Sequence, residues 1–464
     1  MQQVGVIGMA VMGKNLALNL NRHGYSVSVF SISKQEMKTI SEKYQKKTLV
    51  PTSSWQDFVN SLKRPRKIII MIKAGAPVDQ TINCLKPLLN KGDILIDGGN
   101  SWFQDTNRRF NSLNKLGIAF IGMGISGGEQ GALAGPSMMP GGQQAAYEQV
   151  APMLKAIAAK NDQDYPCVNY IGPEGAGHYV KMVHNGIEYG IMQLLCEVYD
   201  ILRTLLKLNN SEVAKIFSGW NHTDLESYLL EITVKILCKK DQQTGQDLID
   251  VILNQAEYKG TGNWMLEDAV NLGAPITVIA ESVFARFISG QVISNSDFKY
   301  KNSSTRVPNN FINIVQNSLI LAQFISYGQG LQQLQLASDR YHWHLDLASI
   351  TQIWENGCIV RSSMLTKIQE IYSTIGSRGN LFTSSYFGEL ITHYILDLRQ
   401  TVMIAQSAAI PTPALSAALN YLESIFNTKL PANLLQAQRD YFGAHSYKRL
   451  DQKGIFHTNW YPEM

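Results

Sequence analysis

The chain has 464 residues, of which 45% are hydrophobic and 17% charged, a composition typical of a globular protein with about two to four domains. Lys and Arg number 41 against 37 Asp and Glu, and a net charge of +4 predicts neither nucleic-acid binding nor a polybasic membrane patch. No apolar run approaches the roughly 18 residues of a membrane span, and no charged segment precedes the first apolar stretch as in a signal peptide, so we expect a cytoplasmic protein.

Short β-branched runs alternate with helical stretches and turn residues over the first 175 residues. Runs that are apolar on both faces are typical of parallel strands covered by helices on both sides. We predict strands at residues 4–7, 26–30, 67–72, 93–96 and 118–121. The fold class expected for residues 1–175 is therefore an α/β, Rossmann-like, doubly wound domain.

The turn after the first predicted strand carries a dinucleotide-binding pattern. Gly8-Met9-Ala10-Val11-Met12-Gly13 leads directly into a predicted helix over residues 11–21. Gly8 permits the tight turn, Ala10 keeps the backbone near a pyrophosphate, and Gly13 allows close packing of the helix on the strand. Because the helix N-terminus also supplies amides to phosphates, we predict a nicotinamide dinucleotide site here.

The residues after the second predicted strand bear on the choice between NAD and NADP. An acidic residue there binds the ribose 2′-hydroxyl of NAD, whereas an arginine binds the 2′-phosphate of NADP. Ser31-Ile32-Ser33-Lys34 contains neither. Since we see no carboxylate to repel a phosphate, and two hydroxyls with Lys34 could hold one, we favour NADP and leave NAD open.

Residues 176–430 show apolar stripes at helical spacing and little strand signal, which predicts a large all-helical domain. A faint internal repeat pairs Tyr189-Gly190 with Tyr327-Gly328, and residues 216–220 with residues 353–357. Chance similarity between two amphipathic helices is the alternative explanation. If the repeat is real, this domain is a duplicated helix bundle.

Four polar residues share one face of the helix predicted around residues 175–189, namely Lys181, His184, Asn185 and Glu188. A solvated stripe is the ordinary explanation for such a face. The corresponding positions of the second copy carry no charge, however, and this suggests a local function: Leu319, Ala322, Gln323 and Ser326. Lys181 and Glu188 lie about 10 Å apart along the helix axis. Because burial can make a lysine a base and a glutamate an acid, we predict a catalytic pair.

Other segments could converge on the same cleft. Asp97-Gly98-Gly99-Asn100-Ser101 and Ser126-Gly127-Gly128-Glu129 follow neighbouring predicted strands, at the edge where open α/β sheets bind ligands. Lys259-Gly260-Thr261-Gly262 and Arg286 could bind a phosphate through amides, a hydroxyl and cations. Ordinary turns and a surface arginine fit the sequence equally well.

The last segment, residues 431–464, is rich in aromatics yet not clearly helical, and we treat it as a separate C-terminal tail. The five cysteines lie far apart without a Cys-x-x-Cys pair: Cys84, Cys167, Cys196, Cys238 and Cys358. This spacing predicts no metal site and no disulfide framework, and we expect buried free thiols.

Together these motifs resemble those of the decarboxylating 6-phosphogluconate dehydrogenases along essentially the whole chain. The matching segments occur in the right order, at residues 8–13, 97–100, 126–129, 177–190, 259–262 and 430–445. The resemblance implies a homodimer of the pentose phosphate pathway that oxidises 6-phospho-D-gluconate with NADP to D-ribulose 5-phosphate and CO2. It also implies that the tail reaches into the partner subunit.

The resemblance further implies roles for individual residues. Lys181 would take the C3 hydroxyl proton and then polarise the C3 carbonyl as CO2 leaves, and Glu188 would protonate C1 of the enediol. The sugar-acid end would be held by Asn100, Ser126, Gly127, Gly128, His184 and Asn185. The phosphate end would be held by Tyr189, Lys259, Thr261, Arg286 and Arg439, with His445 nearby. The cofactor would be held by Gly8, Ala10, Val11, Met12, Gly13, Ser31, Ser33, Lys34, Lys73, Ala74 and Asn100.

Some positions depart from the family pattern. The family usually has Asn-Arg-Thr at Ser31-Ile32-Ser33, which affects the expected NADP preference. Ile191, Asn263 and Glu355 replace a usual Asp, Lys and Arg. Because every residue with a chemical role is present, we expect activity. The alternatives are a non-catalytic paralogue that binds sugar phosphate or nucleotide, and an NAD-preferring 3-hydroxyacid dehydrogenase of the same superfamily.

Overall fold

The computed structural model describes residues 1–43, 48–257, 260–291 and 306–461. In the first part of the chain these residues form a seven-stranded sheet in the order β3-β2-β1-β4-β5-β6-β7. The strands are β1 (Val4–Ile7), β2 (Val27–Phe30), β3 (Leu49–Pro51), β4 (Lys67–Ile70), β5 (Ile94–Asp97), β6 (Ala119–Ser126) and β7 (Ser137–Gly142). All pairs are parallel except β6 with β7. This sheet, followed by a helical body, confirms the predicted fold class.

Helices cover both faces of the sheet. They are α1 (Val11–Arg22), α2 (Lys34–Lys43), α3 (Trp55–Asn60), α4 (Ala76–Leu85), α5 (Phe103–Asn114), α6 (Gly128–Ala134) and α7 (Gln144–Ile157). Val6 and Ile69 belong to one buried apolar cluster, and their neighbours Ile7 and Ile70 to another, because successive strand residues point to opposite faces. The strand order reverses between β1 and β4, and ligands of such sheets bind at the carboxyl ends beside this point.

Two strands were not predicted. β3 has only three residues and ends in Pro51, and β7 contains Pro140 and two glycines, residues that seldom occur inside strands. β7 is defined instead by its pairing with β6, which runs on to Ser126, beyond the predicted end at residue 121. The strand predicted over residues 67–72 ends earlier, at Ile70.

The rest of the described chain is helical. The helices are α8 (Ala176–Leu206), α9 (Asn210–Trp220), α10 (Tyr228–Leu237), α11 (Leu248–Val251), α12 (Thr261–Leu272), α13 (Thr277–Ser289), α14 (Phe311–Tyr341), α15 (Leu347–Ile353), α16 (Ser363–Ile375), α17 (Ser385–Ser407), α18 (Pro413–Ile425) and α19 (Ala432–Gly443). None of the helices in the described residues is long and apolar enough to cross a membrane. These bounds support a division near residues 175 and 430, which stays a prediction.

The helical part contains a recurring pattern. α8 and α14 have 31 residues each, and each ends at a residue in the left-handed conformation, Lys207 and His342. Two shorter helices follow each of them, and the second starts after a serine N-cap, Ser227 or Ser362. These two serines form an antiparallel bridge with each other. The two halves therefore contact each other, and the pattern agrees with the faint sequence repeat, while an origin by duplication stays a prediction.

Buried polar contacts fix α8 in this bundle. The Glu197 carboxylate accepts hydrogen bonds from the backbone N–H groups of Ala414 and Leu415, at 2.8 and 2.9 Å, where α18 begins. Burial raises the pKa of Glu197 to about 7, although these amides oppose the shift. Near the other end of α8, the Tyr179 hydroxyl donates to the carboxylate of Asp268 on α12. Both ends of the helix are therefore held by hydrogen bonds to its neighbours.

Glycines let the start of α8 lie directly on the sheet. A Cβ atom on Gly177 would lie 2.3 Å from the carbonyl oxygens of Gly122 and Met139. A Cβ atom on Gly124 would lie 2.2 Å from the Cβ of Lys181. We call this contact the glycine seam, comprising Gly122, Gly124 and Gly177. It places Lys181 against β6 and next to the carboxyl ends of the parallel strands.

In the tail, residues 432–443 form the helix α19. The sequence is not clearly helical there because α19 has no apolar face against a core: of its residues only Asp440 is buried. The Asp440 carboxylate accepts from the N–H groups of Ser446 and Thr458 and from Trp460 Nε1, and contacts His457 Nδ1 at 2.9 Å. The tail is therefore folded around one carboxylate.

All five cysteines are free thiols. Cys167 and Cys358 are buried, as expected, whereas three are exposed: Cys84, Cys196 and Cys238. The expectation of buried thiols was therefore right for two positions and wrong for three, because Cys84 and Cys196 lie on helix surfaces and Cys238 follows the end of α10.

Candidate active site

The site is organised around Lys181, which α8 presents beside the glycine seam. Its side chain is buried, and Nζ lies 3.3 Å from Nδ1 of His184. Burial lowers the pKa of Lys181 to about 8, although the nearby Glu188 and Cys358 side chains act in the opposite direction. A lysine with this pKa is neutral in about a tenth of the molecules at pH 7. It can therefore accept a proton near neutral pH.

His184 links Lys181 to the sheet. Its Nε2 lies 3.2 Å from Ser126 Oγ at the end of β6, and its Nδ1 lies 3.2 Å from Asn185 Oδ1. Burial, together with the charge of Lys181, lowers the pKa of His184 well below the usual value. The imidazole is therefore neutral and orients its neighbours without adding a second positive charge.

Glu188 lies one helical turn beyond His184 on the same face, with Oε2 3.9 Å from His184 Nδ1. Its side chain is 21% exposed, whereas Lys181 is buried. The structure thus brings together the four residues of the polar face and Ser126. A buried base and a partly exposed carboxyl at opposite ends of this group could act on two neighbouring atoms of one substrate.

The loop after β5 is held in place by a buried carboxylate. Asp97 accepts from Ser101 Oγ at 2.7 Å and from the N–H of Gly99 at 3.1 Å, and Arg109 Nη1 lies 3.4 Å from it. These contacts leave Asn100 exposed at the carboxyl edge of the sheet. The predicted binding residue therefore lies on a rigid loop.

A segment from the second half of the bundle closes the site and was missed by sequence reasoning. The Trp354 ring packs edge-on against His184, with centroids 5.5 Å apart, and the N–H of Ile359 donates to Ser126 Oγ at 3.4 Å. A Cβ on Gly127 (φ +114°) would lie 2.6 Å from the Gly357 carbonyl oxygen. The repeat comparison had marked residues 353–357, but only as part of the repeat.

A second group of residues lies around Tyr189, which directly follows Glu188 on α8. The Arg286 guanidinium lies over the ring of Tyr189, 3.4 Å from its centroid, and Nη1 donates to the Glu257 carbonyl at 3.3 Å. A Cβ on Gly262 would touch the Tyr189 ring at 3.1 Å, so Thr261 at the start of α12 lies nearby. Lys259 lies outside the described residues. This group presents a cation and a helix N-terminus, which suits an anion.

Arg439 and His445 lie on the tail and are exposed. Arg439 Nη1 donates to Gln436 Oε1 at 3.3 Å, and the His445 ring packs edge-on against Phe442. Both contacts stay within the tail, so among the described residues of the single chain nothing joins Arg439 and His445 to the group around Arg286.

The turn after β1 fits a dinucleotide. Gly8 has a φ of +91°, and a Cβ there would lie 2.4 Å from the Met71 carbonyl oxygen. A Cβ on Gly13 would lie 1.9 Å from the Gly8 carbonyl oxygen, so only glycine allows this approach. Ala10, the N-cap of α1, makes no side-chain capping bond, which leaves the first amides of α1 for a phosphate. Val11 and Lys73 are exposed at the same edge.

The ribose end of this site contains a carboxylate that the sequence analysis overlooked. Glu36 Oε2 accepts from Ser31 Oγ at 2.6 Å and from the Met9 N–H at 3.2 Å, and Ser33 Oγ accepts from the Glu36 N–H at 3.3 Å. The interpretation that no carboxylate faces this position was wrong. α2 begins at Lys34, and its first turn carries Glu36 back to the Gly8 turn. An acidic residue in the first turn of the next helix was the available signal.

The other departures from the family pattern lie outside the Lys181 group. Ile191 is buried in the apolar core, and Asn263 is exposed on α12. Glu355 accepts a hydrogen bond from Asn161 Nδ2 at 2.7 Å. The surroundings given for each of these three residues therefore do not include Lys181.

Comparison with known proteins agrees with this geometry. Residues 3–172 match the model of the NAD binding domain of 6-phosphogluconate dehydrogenase, and residues 177–460 match that of the 6-phosphogluconate dehydrogenase C-terminal domain. A Klebsiella pneumoniae protein named 6-phosphogluconate dehydrogenase, decarboxylating, is 50% identical over 99% of both chains. The Bacillus subtilis NADP(+)-dependent, decarboxylating 6-phosphogluconate dehydrogenase is 49% identical with the same coverage.

A solved structure shares the whole fold. Plasmodium falciparum 6-phosphogluconate dehydrogenase, studied in its apo form and in complex with NADP+ and with 6-phosphogluconate, superposes with a TM-score of 0.92 at 40% identity. The match covers 99% of this chain and 100% of that one. Both the sheet and the helical body are therefore common to the two proteins.

Proposed function

The chain belongs to the 6-phosphogluconate dehydrogenase family, and from this we propose that it is the enzyme that oxidatively decarboxylates 6-phospho-D-gluconate to D-ribulose 5-phosphate and CO2 with NADP. The observation that carries the proposal is the buried Lys181, whose pKa is lowered to about 8, on one helix face with His184 and Glu188. A non-catalytic paralogue would not require this arrangement. The full-length similarity to decarboxylating enzymes also disfavours a different 3-hydroxy acid as substrate.

Lys181 acts as the general base in this proposal. NADP, when bound at the Gly8 turn, supplies the acceptor for the hydride from C3. Neutral Lys181 takes the proton from the C3 hydroxyl, which yields the 3-keto acid. His184 and Ser126 hold the lysine in position, and the neutral imidazole does not raise the barrier to its protonation by charge repulsion.

The second and third steps use the same helix face. Protonated Lys181 donates a hydrogen bond to the C3 carbonyl, so that the electrons of the C1–C2 bond can move towards it as CO2 leaves. Glu188 then protonates C1 of the enediol, which gives the ketose. One lysine thus serves first as base and then as acid, and its buried position makes both charge states accessible.

The binding residues are carried over from the family as a proposal. The sugar acid is held by Asn100, Ser126, Gly127, Gly128, His184 and Asn185, and the phosphate by Tyr189, Lys259, Thr261, Arg286, Arg439 and His445. The dinucleotide is held by Gly8, Ala10, Val11, Met12, Gly13, Ser31, Ser33, Lys34, Lys73, Ala74 and Asn100. Support comes from the positions of the described members at one edge of the sheet and along one face of α8.

A homodimer with exchanged tails is part of the proposal. α19 leaves Leu434, Leu435 and Phe442 more than half exposed, at 61%, 58% and 70%. Apolar side chains in this number on one short helix favour a partner surface. Arg439 and His445 would then reach the phosphate site of the other subunit. A cytoplasmic location and a place in the pentose phosphate pathway stay predictions.

Purified protein mixed with 6-phosphogluconate and NADP should form NADPH and CO2 in equal amounts. Nucleotide absorbance and trapped CO2 measure the two products. A folded protein that forms neither product, with NADP or with NAD, would contradict the proposed function and favour the non-catalytic paralogue. Reduced nucleotide without CO2 would instead indicate a simple hydroxyacid dehydrogenase.

Arg286→Ala should lower kcat/KM for 6-phosphogluconate by about 10–100-fold, the usual effect of losing a charge-assisted contact to a phosphate. The same change should leave the slow reaction with unphosphorylated gluconate almost unaltered. Arg203→Ala is the matched control, because Arg203 also lies over a tyrosine ring, 5.9 Å from the centroid of Tyr199. If Arg286→Ala weakens both substrates equally, the phosphate assignment is wrong.

A further inference from the structure

Glu36 bridges two parts of the nucleotide site. Its carboxylate accepts one hydrogen bond from the backbone N–H of Met9, in the turn after β1, and one from the hydroxyl of Ser31, directly after β2. Both bonds go to Oε2, so Oε1 offers its lone pairs to another donor. The backbone N–H of Glu36 is in turn held by Ser33 Oγ. The carboxylate is therefore fixed at the ends of the two strands that border the ribose in such folds.

The charge of a carboxylate at this position bears on which ribose the site accepts. A carboxylate beside the ends of the first two strands accepts hydrogen bonds from a free ribose 2′-hydroxyl. A 2′-phosphate has lost most of its protons at neutral pH and carries a charge of about −1.5 to −2. It would therefore face Glu36 as a like charge, and the half-buried position limits screening by solvent.

The lysines near Glu36 do not offset the negative charge of its carboxylate. Lys34 stands at the first position of α2 and is exposed. Lys38, one turn on, lies 3.8 Å from Glu42, with both side chains more than 60% exposed. Ile32, between the two serines, is 83% exposed and offers no donor. Exposed lysines are screened and contribute little, whereas Glu36 is held in place by three hydrogen bonds.

We propose that Glu36 is the specificity-determining residue for the cofactor, binding the ribose 2′-hydroxyl of NAD and opposing the 2′-phosphate of NADP. The chain then binds the NAD-type ribose at least as tightly as the NADP-type ribose and uses both nucleotides. The part of this inference that concerns turnover with NAD and NADP rests on the proposed function. The binding of the adenosine half of the cofactor does not depend on it.

Titration calorimetry with 5′-ADP and 2′,5′-ADP tests the proposal without catalysis. Wild-type protein should bind 5′-ADP at least as tightly as 2′,5′-ADP. Glu36→Lys should tighten 2′,5′-ADP by about tenfold or more and weaken 5′-ADP, because the charge beside the 2′-position reverses. Glu36→Gln, which keeps the shape and removes the charge, should tighten 2′,5′-ADP to a smaller extent. Glu42→Gln on the same helix is the matched control and should change neither affinity.

The proposal is overturned if wild-type protein binds 2′,5′-ADP more tightly than 5′-ADP, or if Glu36→Lys leaves the ratio of the two affinities unchanged. Thermal unfolding of each variant shows whether α2 remains folded. In steady-state kinetics, the ratio of kcat/KM with NAD to kcat/KM with NADP should change in the same direction as the ratio of the two affinities. If the nucleotides bind as expected but 6-phosphogluconate is not oxidised with either cofactor, the proposed function fails while the role of Glu36 stands.

Discussion

Replacing Lys181 with methionine should lower kcat by about four orders of magnitude, the upper range for loss of a general acid–base group, because the proposed mechanism uses this side chain in two successive steps. Methionine preserves the length and apolar stem of the lysine. The protein should therefore remain folded, with an unchanged or higher melting temperature, since a charge is removed from a buried position. Single-turnover formation of reduced nucleotide measures the first step directly.

The pH dependence gives a second measure of the same role. With a pKa of about 8 for Lys181, kcat/KM should fall about tenfold per pH unit below pH 8, because the base must be neutral to accept the proton. Lys181→Met should lose this limb of the profile. Lys235→Met, which removes an exposed lysine paired with Glu231 in the same domain, is the matched control and should keep both the rate and the profile. A Lys181→Met enzyme with more than a hundredth of the normal rate would exclude Lys181 as the base.

Arg439→Ala should lower kcat/KM for 6-phosphogluconate by about 100-fold if the tail supplies this arginine to the phosphate. If the tail acts in the partner subunit, mixing equal amounts of Lys181→Met and Arg439→Ala protein, with unfolding and refolding, should restore about a quarter of the wild-type activity. Half of the dimers are then mixed, and each of these has one site free of both changes.

A matched mixture provides the control for tail exchange. Lys181 and Glu188 lie on one helix, so Lys181→Met mixed with Glu188→Gln leaves a defect in every site and should restore nothing. If Lys181→Met mixed with Arg439→Ala also restores nothing, while both variants form dimers by light scattering, the tail acts within its own subunit.

The central part of the site could be predicted because it depends on residues that are close together in the sequence. The spacing of Lys181, His184, Asn185 and Glu188 places them on one face of any α-helix, and the structure contains that helix. Likewise, the Gly8 turn follows directly from a strand and leads into a helix, so its geometry is local. The buried parallel strands carry β-branched residues, which mark them in the sequence.

The remaining features depend on contacts between distant segments. β7 exists because β6 provides its hydrogen bonds, in spite of Pro140 and its glycines. Ile359 reaches Ser126 only because the second half of the bundle packs beside the sheet. Glu36 meets Met9 across 27 residues, where the first turn of α2 returns to the end of β1. Residue propensity and periodicity do not contain these distances, so Glu36 could be found only from its place in the first turn of α2, a signal that the sequence analysis did not use.

The glycine seam has a mechanical consequence. Backbone atoms of α8 and β6 lie in direct contact at Gly177 and Gly122, with no side chain between them that could change its rotamer. Such a contact has no side-chain layer that could repack, so sliding of α8 along β6 at this point would require backbone atoms to separate. The position of Lys181 relative to the end of β6 is thus set when the chain folds, by backbone contact and not by the choice of side-chain rotamers.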